Sequence, residues 1–523
     1  MNSVISIDTR ELPAIPESLQ NSVIILDSEI RALRDKLYDA VFLSWQQQCL
    51  RMNPALRVLP IDPELLGRYL AETRGQLEAA AQLVAGDINN LEKTRALVGQ
   101  AAELGASDIH ILIRDTFTDI QVRIKGRLKV FDRLLAADGH LLERTLFQGF
   151  ASSRDTSLNP GEFQNAQING EDIHPALTSV RLVRGPAYPV DKGGGFVVAR
   201  LQYRAGRQDV TAQPAFYSRL PTPAAPQEAD LRLGLLGYSP AQLQQLKDMA
   251  EATSGIVLVT GPTGSGKTTL IHELLKQHAY QFPFLRQVAI EDPIEYPMHW
   301  AIQLAITNAT NEQTTGDAFA DRLRTALRMD PDTMLLGEIR GAGSALAAID
   351  AAMTGHLVFS TMHTKNPYMA IDRLELMDPV KLNRRITCDD QLLLGLVAQR
   401  LLPELCPHCK ASLVPDKLPS GFVSKLESWG DVTAMFQVGP GCTHCGGDGY
   451  IRRIAVGEVV KTDAEFMSQV IQEGTNAARR ALRQRADFTG SILFNAMQAV
   501  LAGKVSPQDV REAAVIVPVG AET

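Results

Sequence analysis

The sequence predicts an α/β protein built from two to four domains. Residues 231–402 alternate short apolar runs, typical of strands, with longer runs typical of helices. Such alternation predicts a mostly parallel sheet with helices on both faces. The chain has 523 residues, which is longer than a single hydrophobic core usually supports.

The first domain, residues 1–95, is predicted to be small and helical. Apolar residues recur there at helical spacing, which is typical of a buried helix face. A docking face for a partner helix is the alternative. The two stripes are Leu26, Ile30, Leu33, Leu37 and Val41, and then Leu65, Leu66, Tyr69, Leu70, Leu77 and Leu83.

An α+β domain is predicted at residues 96–210. The runs DIHILI, DIQVRI and LKVFDRLL read as strands with a turn at 125–127, a helix is expected at 138–151, and SVRLV and GGGFVVARLQY read as further strands. Residues 211–230 contain four prolines and little periodicity, so they are predicted to be a linker. The C-terminal residues 456–523 are predicted to be helical again.

Charge and hydropathy exclude some classes of protein. The net charge is −7, which disfavours a protein that grips nucleic acid along a basic face. The sequence has no apolar run long enough for a membrane-spanning helix, and its N-terminus carries charges where a signal peptide needs an apolar core. A cytoplasmic protein is expected.

A phosphate-binding loop is predicted where GPTGSGKTT fits the pattern G-x-x-x-x-G-K-[ST]. Lys267 is expected to reach the β and γ phosphates of ATP, and Thr268 to hold Mg²⁺. A glycine-rich turn without a ligand is the alternative, and the strand and helix predicted on either side disfavour it. The candidate binding residues are Gly261, Pro262, Thr263, Gly264, Ser265, Gly266, Lys267, Thr268, Thr269 and Glu338.

Acids and a histidine follow at the ends of predicted strands. IEDPIEY places Glu295, and MLLGEIR places Glu338, where they can serve Mg²⁺ and the attacking water. His363 ends the strand HLVFSTMHT and is a candidate sensor of the γ phosphate. Solvated loop acids and a structural histidine are the alternatives.

Two C-x-x-C pairs predict a structural zinc site in residues 403–455. Cys406 and Cys409 form the first pair, and Cys442 and Cys445 form the second. Four thiolates suit a closed tetrahedral Zn²⁺ site. A redox pair or a disulfide is the alternative, which a reducing compartment disfavours.

The four motifs GPTGSGKTT, IEDPIEY, LRTALRMDPDTMLLGEIR and TGHLVFSTMHT, in this order, resemble the secretion ATPases of type II secretion and type IV pilus systems. The resemblance extends from about residue 100 to the C-terminus, and departures such as Leu112 and Gly341 suggest a divergent branch, such as the type IVb pilus or plasmid thin-pilus ATPases. It implies a RecA-like motor core, a preceding PAS-like domain and a hexameric ring. It also implies that the arginines Arg123, Arg181 and Arg200 reach the γ phosphate and that Arg324 and Arg328 lie near the nucleotide. Surface ion pairs are the alternative for each of these arginines.

The resemblance implies a motor at the inner face of the bacterial inner membrane. It would turn a membrane-embedded platform protein and extend a type IV pilus, without binding nucleic acid directly. In this family a four-cysteine element accompanies assembly and secretion rather than retraction. The alternatives are a type II secretion ATPase, a conjugation or DNA-translocating motor, and a scaffold that binds ATP without turnover.

Overall fold

The architecture is taken from a computed structural model of the chain. It describes residues 12–63 except 21, 27 and 28, residues 65, 66 and 69, and residues 89–205, 219–306 and 312–513. The chain divides into two compact units, residues 1–93 and 94–523. None of the helices in these ranges is both long and apolar enough to cross a bilayer.

The N-terminal unit is a mixed α/β structure, so the prediction of a helical domain is wrong. Strands β1 (Val23–Leu26), β2 (Glu29–Leu33) and β3 (Arg57–Ile61) form a sheet, and helix α1 (Ala40–Met52) lies between β2 and β3 in the chain. In β2 the buried residues are Ile30 and Ala32, which alternate with partly exposed neighbours. This period of two is that of a strand.

The first apolar stripe was misread because its members belong to different elements. Leu26, Ile30 and Leu33 lie on strands, Leu37 lies in a turn, and Val41 is exposed on α1. Their helical spacing is therefore a coincidence over a short stretch. In the second stripe Leu65, Leu66 and Tyr69 are helical, whereas Leu70, Leu77 and Leu83 lie outside the described residues.

The second unit begins with the predicted α+β domain, here called the small domain (residues 94–205). Its strands lie in the order β6-β5-β4-β10-β9-β8-β7, and every neighbouring pair is antiparallel. The helices are α2 (89–103), whose first five residues fall before the unit boundary, and α3 (Ala136–Arg144), which continues as a π-helical turn over Thr145–Phe150. The strands are β4 (Asp108–Ile113), β5 (Phe117–Ile124), β6 (Arg127–Leu135), β7 (Ala151–Arg154), β8 (Gln164–Asn169), β9 (Leu177–Pro186) and β10 (Gly195–Tyr203).

The predicted turn between β5 and β6 is confirmed. Lys125 and Gly126 have φ values of 50° and 77°, which is the left-handed geometry of a two-residue hairpin turn.

The core domain (residues 219–513) contains the predicted parallel sheet. The strand order is β13-β12-β14-β15-β11-β16-β19, and only the β16–β19 pair is antiparallel. The strands are β11 (Gly255–Thr260), β12 (Gln287–Glu291), β13 (Ala301–Ala305), β14 (Thr333–Leu336), β15 (Leu357–Met362), β16 (Leu393–Leu405) and β19 (Tyr450–Lys461). All six residues of β11 are buried, as expected for a strand covered on both faces.

Helices cover the sheet and form the C-terminal region. Those of the core are α4 (Pro240–Ala250), α5 (Lys267–Gln281), α6 (Glu312–Ala326), α7 (Ala342–Met353), α8 (Met369–Met377) and α9 (Arg384–Thr387). The C-terminal ones are α10 (Ser420–Glu427), α11 (Ala464–Glu473), α12 (Thr475–Arg483), α13 (Ile492–Leu501) and α14 (Pro507–Glu512), with the short pair β17 (Ala411–Ser412) and β18 (Phe436–Gln437) near the cysteines. The domain boundaries predicted after residues 402 and 455 fall inside β16 and β19.

A buried charge network joins the small domain to the core. Arg123 on β5 pairs with Asp330 through its Nε, and its Nη2 donates to Asp332 Oδ2 at 2.7 Å. Asp330 also accepts from Arg200 at 3.2 Å and lies 3.1 Å from His110 Nε2. Burial opposes the ionisation of Asp330, but His110 and Arg123 outweigh it and lower the pKa of its carboxyl. The network therefore holds a charged aspartate between the two domains.

We expect Asp330→Asn to weaken this junction by about 2 kcal/mol, because the substitution leaves Arg123 buried with one charged partner instead of two. Asn tolerates the left-handed backbone at this position, where φ is 55°, so the effect reports the charge. The measurement is urea denaturation. As a control, Asp321→Asn breaks an exposed pair with Arg324 and should change stability by less than about 0.5 kcal/mol. Equal effects of the two substitutions would contradict this prediction.

Candidate functional site

The predicted phosphate loop lies between the carboxyl end of β11 and the start of α5. Gly261 and Gly266 have φ values of 148° and 84°, in the region that favours glycine. A Cβ atom at Gly261 would lie 2.5 Å from Ser265 Oγ, so a larger residue would displace the loop. Helix α5 begins at Lys267 without a side-chain cap, so its first N–H groups lie at the loop with no partner within the helix, which is the arrangement that binds phosphate at helix N-termini.

A hydrogen bond holds the phosphate loop to the neighbouring strand, β16. Gln399 on β16 donates from Nε2 to the carbonyl of Ser265 at 2.7 Å and accepts from the hydroxyl of Tyr238. All three residues are buried. The shape of the loop is thus set by the sheet as well as by its own glycines.

Lys267 is buried and folded back onto the loop. Its Nζ donates to the carbonyls of Gly261 and Pro262 at 3.0 and 3.1 Å. Burial lowers the pKa of this ammonium group, and the nearby carboxylates of Glu338 and Glu295 act against that shift. The negative charges of both predicted acids therefore act on the lysine.

Glu338 follows β14 and has two side-chain partners. Its Oε2 accepts from Arg340 Nε at 2.8 Å, and its Oε1 lies 3.3 Å from His363 Nε2. Burial and the charge of Lys267 lower the pKa of His363. The structure thus brings Lys267, Glu338 and His363 together, with Glu295 within electrostatic reach.

Other residues of the predicted loop lie around the lysine. Ser265 is buried, whereas Thr263 and Gly264 are exposed, and Thr268 is half-buried at the start of α5. Thr269 Oγ1 lies 3.3 Å from the hydroxyl of Tyr296, in the same segment as Glu295. The loop and the segment bearing Glu295 therefore touch.

A cavity of about 430 Å³ opens beside the loop. Gly261, Pro262 and His363 line it, together with Arg373 and Arg400. Arg400 lies on β16 next to Gln399 and lowers the pKa of Lys267, so its charge acts on the phosphate loop.

Sequence reasoning missed several of these residues. Gln399 and Arg400 lie in the run LGLVAQRLL, where two polar residues interrupt an apolar strand, and that interruption was the available signal. Glu291 precedes the predicted acid Glu295 and is buried at the end of β12. Burial raises its pKa to about 6, although Gln303 donates to it at 3.0 Å.

The structure does not bring the predicted arginines to the phosphate loop of the same chain. Arg123 is bound to Asp330 and Asp332, which precede β14 at the amino edge of the parallel sheet. The phosphate loop lies at the carboxyl edge, at the other end of the six-residue strand β11, which spans about 20 Å. Arg324 pairs with Asp321.

The remaining predicted arginines share a cleft between the small domain and the core. Arg181, Arg200 and Arg328 line this cavity of about 570 Å³, with Arg154 beside them. Arg181 is exposed and has no ion-pair partner among the described residues. The cleft is therefore rich in positive charge, on the same edge as Asp330.

The four cysteines of the two C-x-x-C pairs form one cluster. Their sulfur atoms all lie within 4.8 Å of one another. The separations are 3.8 Å for Cys406–Cys442, 3.7 Å for Cys409–Cys445 and 3.8 Å for Cys442–Cys445. A tetrahedron with Zn–S bonds of about 2.3 Å has edges of about 3.8 Å, so the cluster fits Zn²⁺.

Three comparisons place the chain among known proteins. A family model described as "Type II/IV secretion system protein" matches residues 224–512. The chain is 31% identical over 427 residues to the "Putative type II secretion system protein E" of Escherichia coli (strain K12), and the match covers 80% of this chain and 76% of that protein. It is 30% identical over 418 residues to the "Type IV pilus assembly ATPase PilB" of Thermus thermophilus, covering 78% of this chain but only 41% of that protein.

Among solved structures, the chain is similar to the "Pilus Retraction Motor PilT and Bound ADP". The sequence identity is 23% and the TM-score is 0.39, and the match covers 80% of this chain and 96% of that one.

We expect the purified protein to contain one zinc ion per chain, measured by inductively coupled plasma mass spectrometry. Cys442→Ser should lose the metal, because three thiolates and a hydroxyl do not complete the tetrahedron. Cys388→Ala is the control, since this buried thiol is not part of the cluster and its pKa is raised to about 11 by burial. Metal-free native protein would contradict the prediction.

Glu291 predicts a pH-dependent contribution to stability. Its pKa in the folded protein is raised to about 6, so the folded state binds the proton more tightly than the unfolded state, and stability increases as the pH falls through 6. Relative to Glu291→Gln, the native protein should gain about 1 kcal/mol between pH 7.5 and pH 5. Urea denaturation of both proteins at the two pH values measures this difference. A difference that stays constant, or changes sign, would contradict it.

Proposed function

Because this chain belongs to the type II/IV secretion system protein family, we propose that it hydrolyses ATP to power the assembly of an extracellular fibre. The observation that supports this most is the convergence of Lys267, Glu295, Glu338 and His363 at one edge of the sheet. A loop that binds phosphates without turnover would not need two acids whose charges act on its lysine.

The chemistry is transfer of the γ-phosphoryl group to water. Lys267 exchanges its bonds to the loop carbonyls for phosphate oxygens, and its positive charge offsets the negative charge that they carry. Thr268 would hold Mg²⁺, which would supply further positive charge. His363 detects the loss of the γ phosphate through its contact with Glu338.

The two acids have different roles in this proposal. Glu338 is held by Arg340 and His363, which suits a group that serves Mg²⁺ through water. The carboxylate of Glu295 is exposed and has no side-chain hydrogen bond among the described residues, which suits a group that orients the attacking water.

We also propose that arginines of the small domain reach the phosphates during turnover. Arg181 is the best supported, since it is exposed and lacks an ion-pair partner within the described ranges. Arg123 and Arg200 must first leave Asp330. Movement of the small domain on its proline-rich linker, or a neighbouring copy in a homo-hexamer, would bring these charges to a phosphate loop.

The proposed load is a type IV pilus, extended through an inner-membrane platform protein from the cytoplasmic face. The four-cysteine cluster supports assembly over retraction. Export of folded proteins by a type II secretion system is the second candidate, since the relatives named above include both kinds of protein at similar identity. A DNA-translocating motor is less consistent with the net charge of −7.

We expect Lys267→Ala to lower ATP turnover at least about 100-fold, because the transition state loses its nearest positive charge. Phosphate release is the measurement. Lys276→Ala is the control: Lys276 lies on the same helix but pairs with Glu273, away from the loop, and turnover should persist. Wild-type activity in Lys267→Ala would contradict the proposal that this loop is the site of ATP hydrolysis.

The load is tested by isolating the tagged protein from gently solubilised native membranes and identifying its partners by mass spectrometry. A polytopic platform protein with prepilin-like proteins would support pilus assembly. Recovery of secretion-system components, without the prepilins that build a long fibre, would favour protein export. Turnover stimulated by DNA would instead favour a nucleic-acid motor.

A further inference from the structure

The segment between β12 and β13 carries Glu295 and is here called the acid loop (residues 292–300). Most of its residues are exposed, and Glu295 is among them. A carboxylate that orients water must nevertheless be held within a fraction of an ångström. Contacts beneath the loop provide that restraint.

Gln303 on β13 makes three side-chain hydrogen bonds beneath the acid loop. Its Nε2 donates to Glu291 Oε1 at 3.0 Å and to the carbonyl of Tyr296 at 2.8 Å. Its Oε1 accepts from the backbone N–H of Met298 at 2.7 Å. The side chain is 1% exposed, so these bonds do not compete with water.

Glu291 continues this set of contacts toward Glu295. The carboxylate of Glu291 accepts from Gln303, and the backbone N–H of Glu295 lies near enough to act against the rise of its pKa. Glu291 is 5% exposed and ends β12, so its position is set by the sheet. A chain of hydrogen bonds therefore runs from β12 through Gln303 to the backbone of Tyr296, next to the exposed acid.

We propose that Gln303 and Glu291 are positioning residues that hold the acid loop so that Glu295 faces Lys267. This inference rests on the proposed ATP hydrolysis and adds to it two residues that need not touch the nucleotide. An amide suits the position of Gln303 because the site requires a donor toward Glu291 and an acceptor toward Met298.

The small domain holds the other end of the same loop. The guanidinium of Arg114 donates to the carbonyls of His299 and Ala301 at 3.2 Å each. The backbone N–H of Tyr188 donates to the carbonyl of Gln303 at 2.9 Å. Docking of the small domain thus restrains the strand and the loop on which Glu295 depends.

The test compares Gln303→Leu and Gln303→Glu with the wild-type chain in steady-state ATP hydrolysis. Both variants should lower kcat at least about tenfold with KM for ATP within about twofold, since the phosphate loop is untouched. In Gln303→Glu two carboxylates face each other, so a shared proton restores a donor at low pH. The ratio of its kcat to the wild-type value should therefore rise between pH 8 and pH 6, whereas that of Gln303→Leu should not.

Gln164→Leu is the matched control. Gln164 is 2% exposed on β8, and its Nε2 donates to Thr156 Oγ1 at 2.7 Å and to the carbonyl of Ser157 at 2.8 Å, within the small domain and not in the acid loop. It should match Gln303→Leu in lost stability but keep kcat. Wild-type kcat in both Gln303 variants, or an equal loss of kcat in Gln164→Leu, would overturn the inference. Absence of turnover in the wild-type chain would instead contradict the proposed hydrolysis.

Discussion

The parallel alignment of β11, β12, β14 and β15 is the constraint on which the site depends. Because these strands run in the same direction, the loops that follow them emerge at one edge of the sheet. Those loops carry Lys267, Glu295, Glu338 and His363, which are separated by up to about a hundred residues in the chain. A reversal of any one strand would place its residue at the other edge.

The phosphate loop, the two acids and the histidine could be predicted because each is a local signal, a buried strand followed by a polar turn. The strands of the N-terminal unit were missed because five apolar residues at helical spacing are too few to distinguish a helix from strands and a turn. The pairing of Arg123 with Asp330 spans 207 residues, and the role of Gln303 depends on which strands are neighbours. Neither follows from local pattern.

Strand β16 connects the two candidate sites. Gln399 on this strand holds the phosphate loop at Ser265, and Cys406 follows its last residue. The N–H of Cys406 donates to the carbonyl of Gly449 at 2.9 Å, next to the start of β19. The antiparallel pair therefore supports the phosphate loop from the middle of β16 and the cysteine cluster at the end of that strand.

The charge network at the amino edge has a thermodynamic consequence for the proposed motor. Asp330 and Asp332 occupy the same guanidinium that the resemblance assigns to the γ phosphate, so two sets of anions compete for Arg123. Thermodynamic linkage makes this competition reciprocal. The free energy by which the two aspartates stabilise docking of the small domain is lost when Arg123 binds phosphate instead. If a nucleotide recruits Arg123 as proposed, it would weaken the domain junction, and hydrolysis, by removing the phosphate, would restore it. The ion pairs of Arg123 with Asp330 and Asp332 would then break and re-form once in each cycle of hydrolysis.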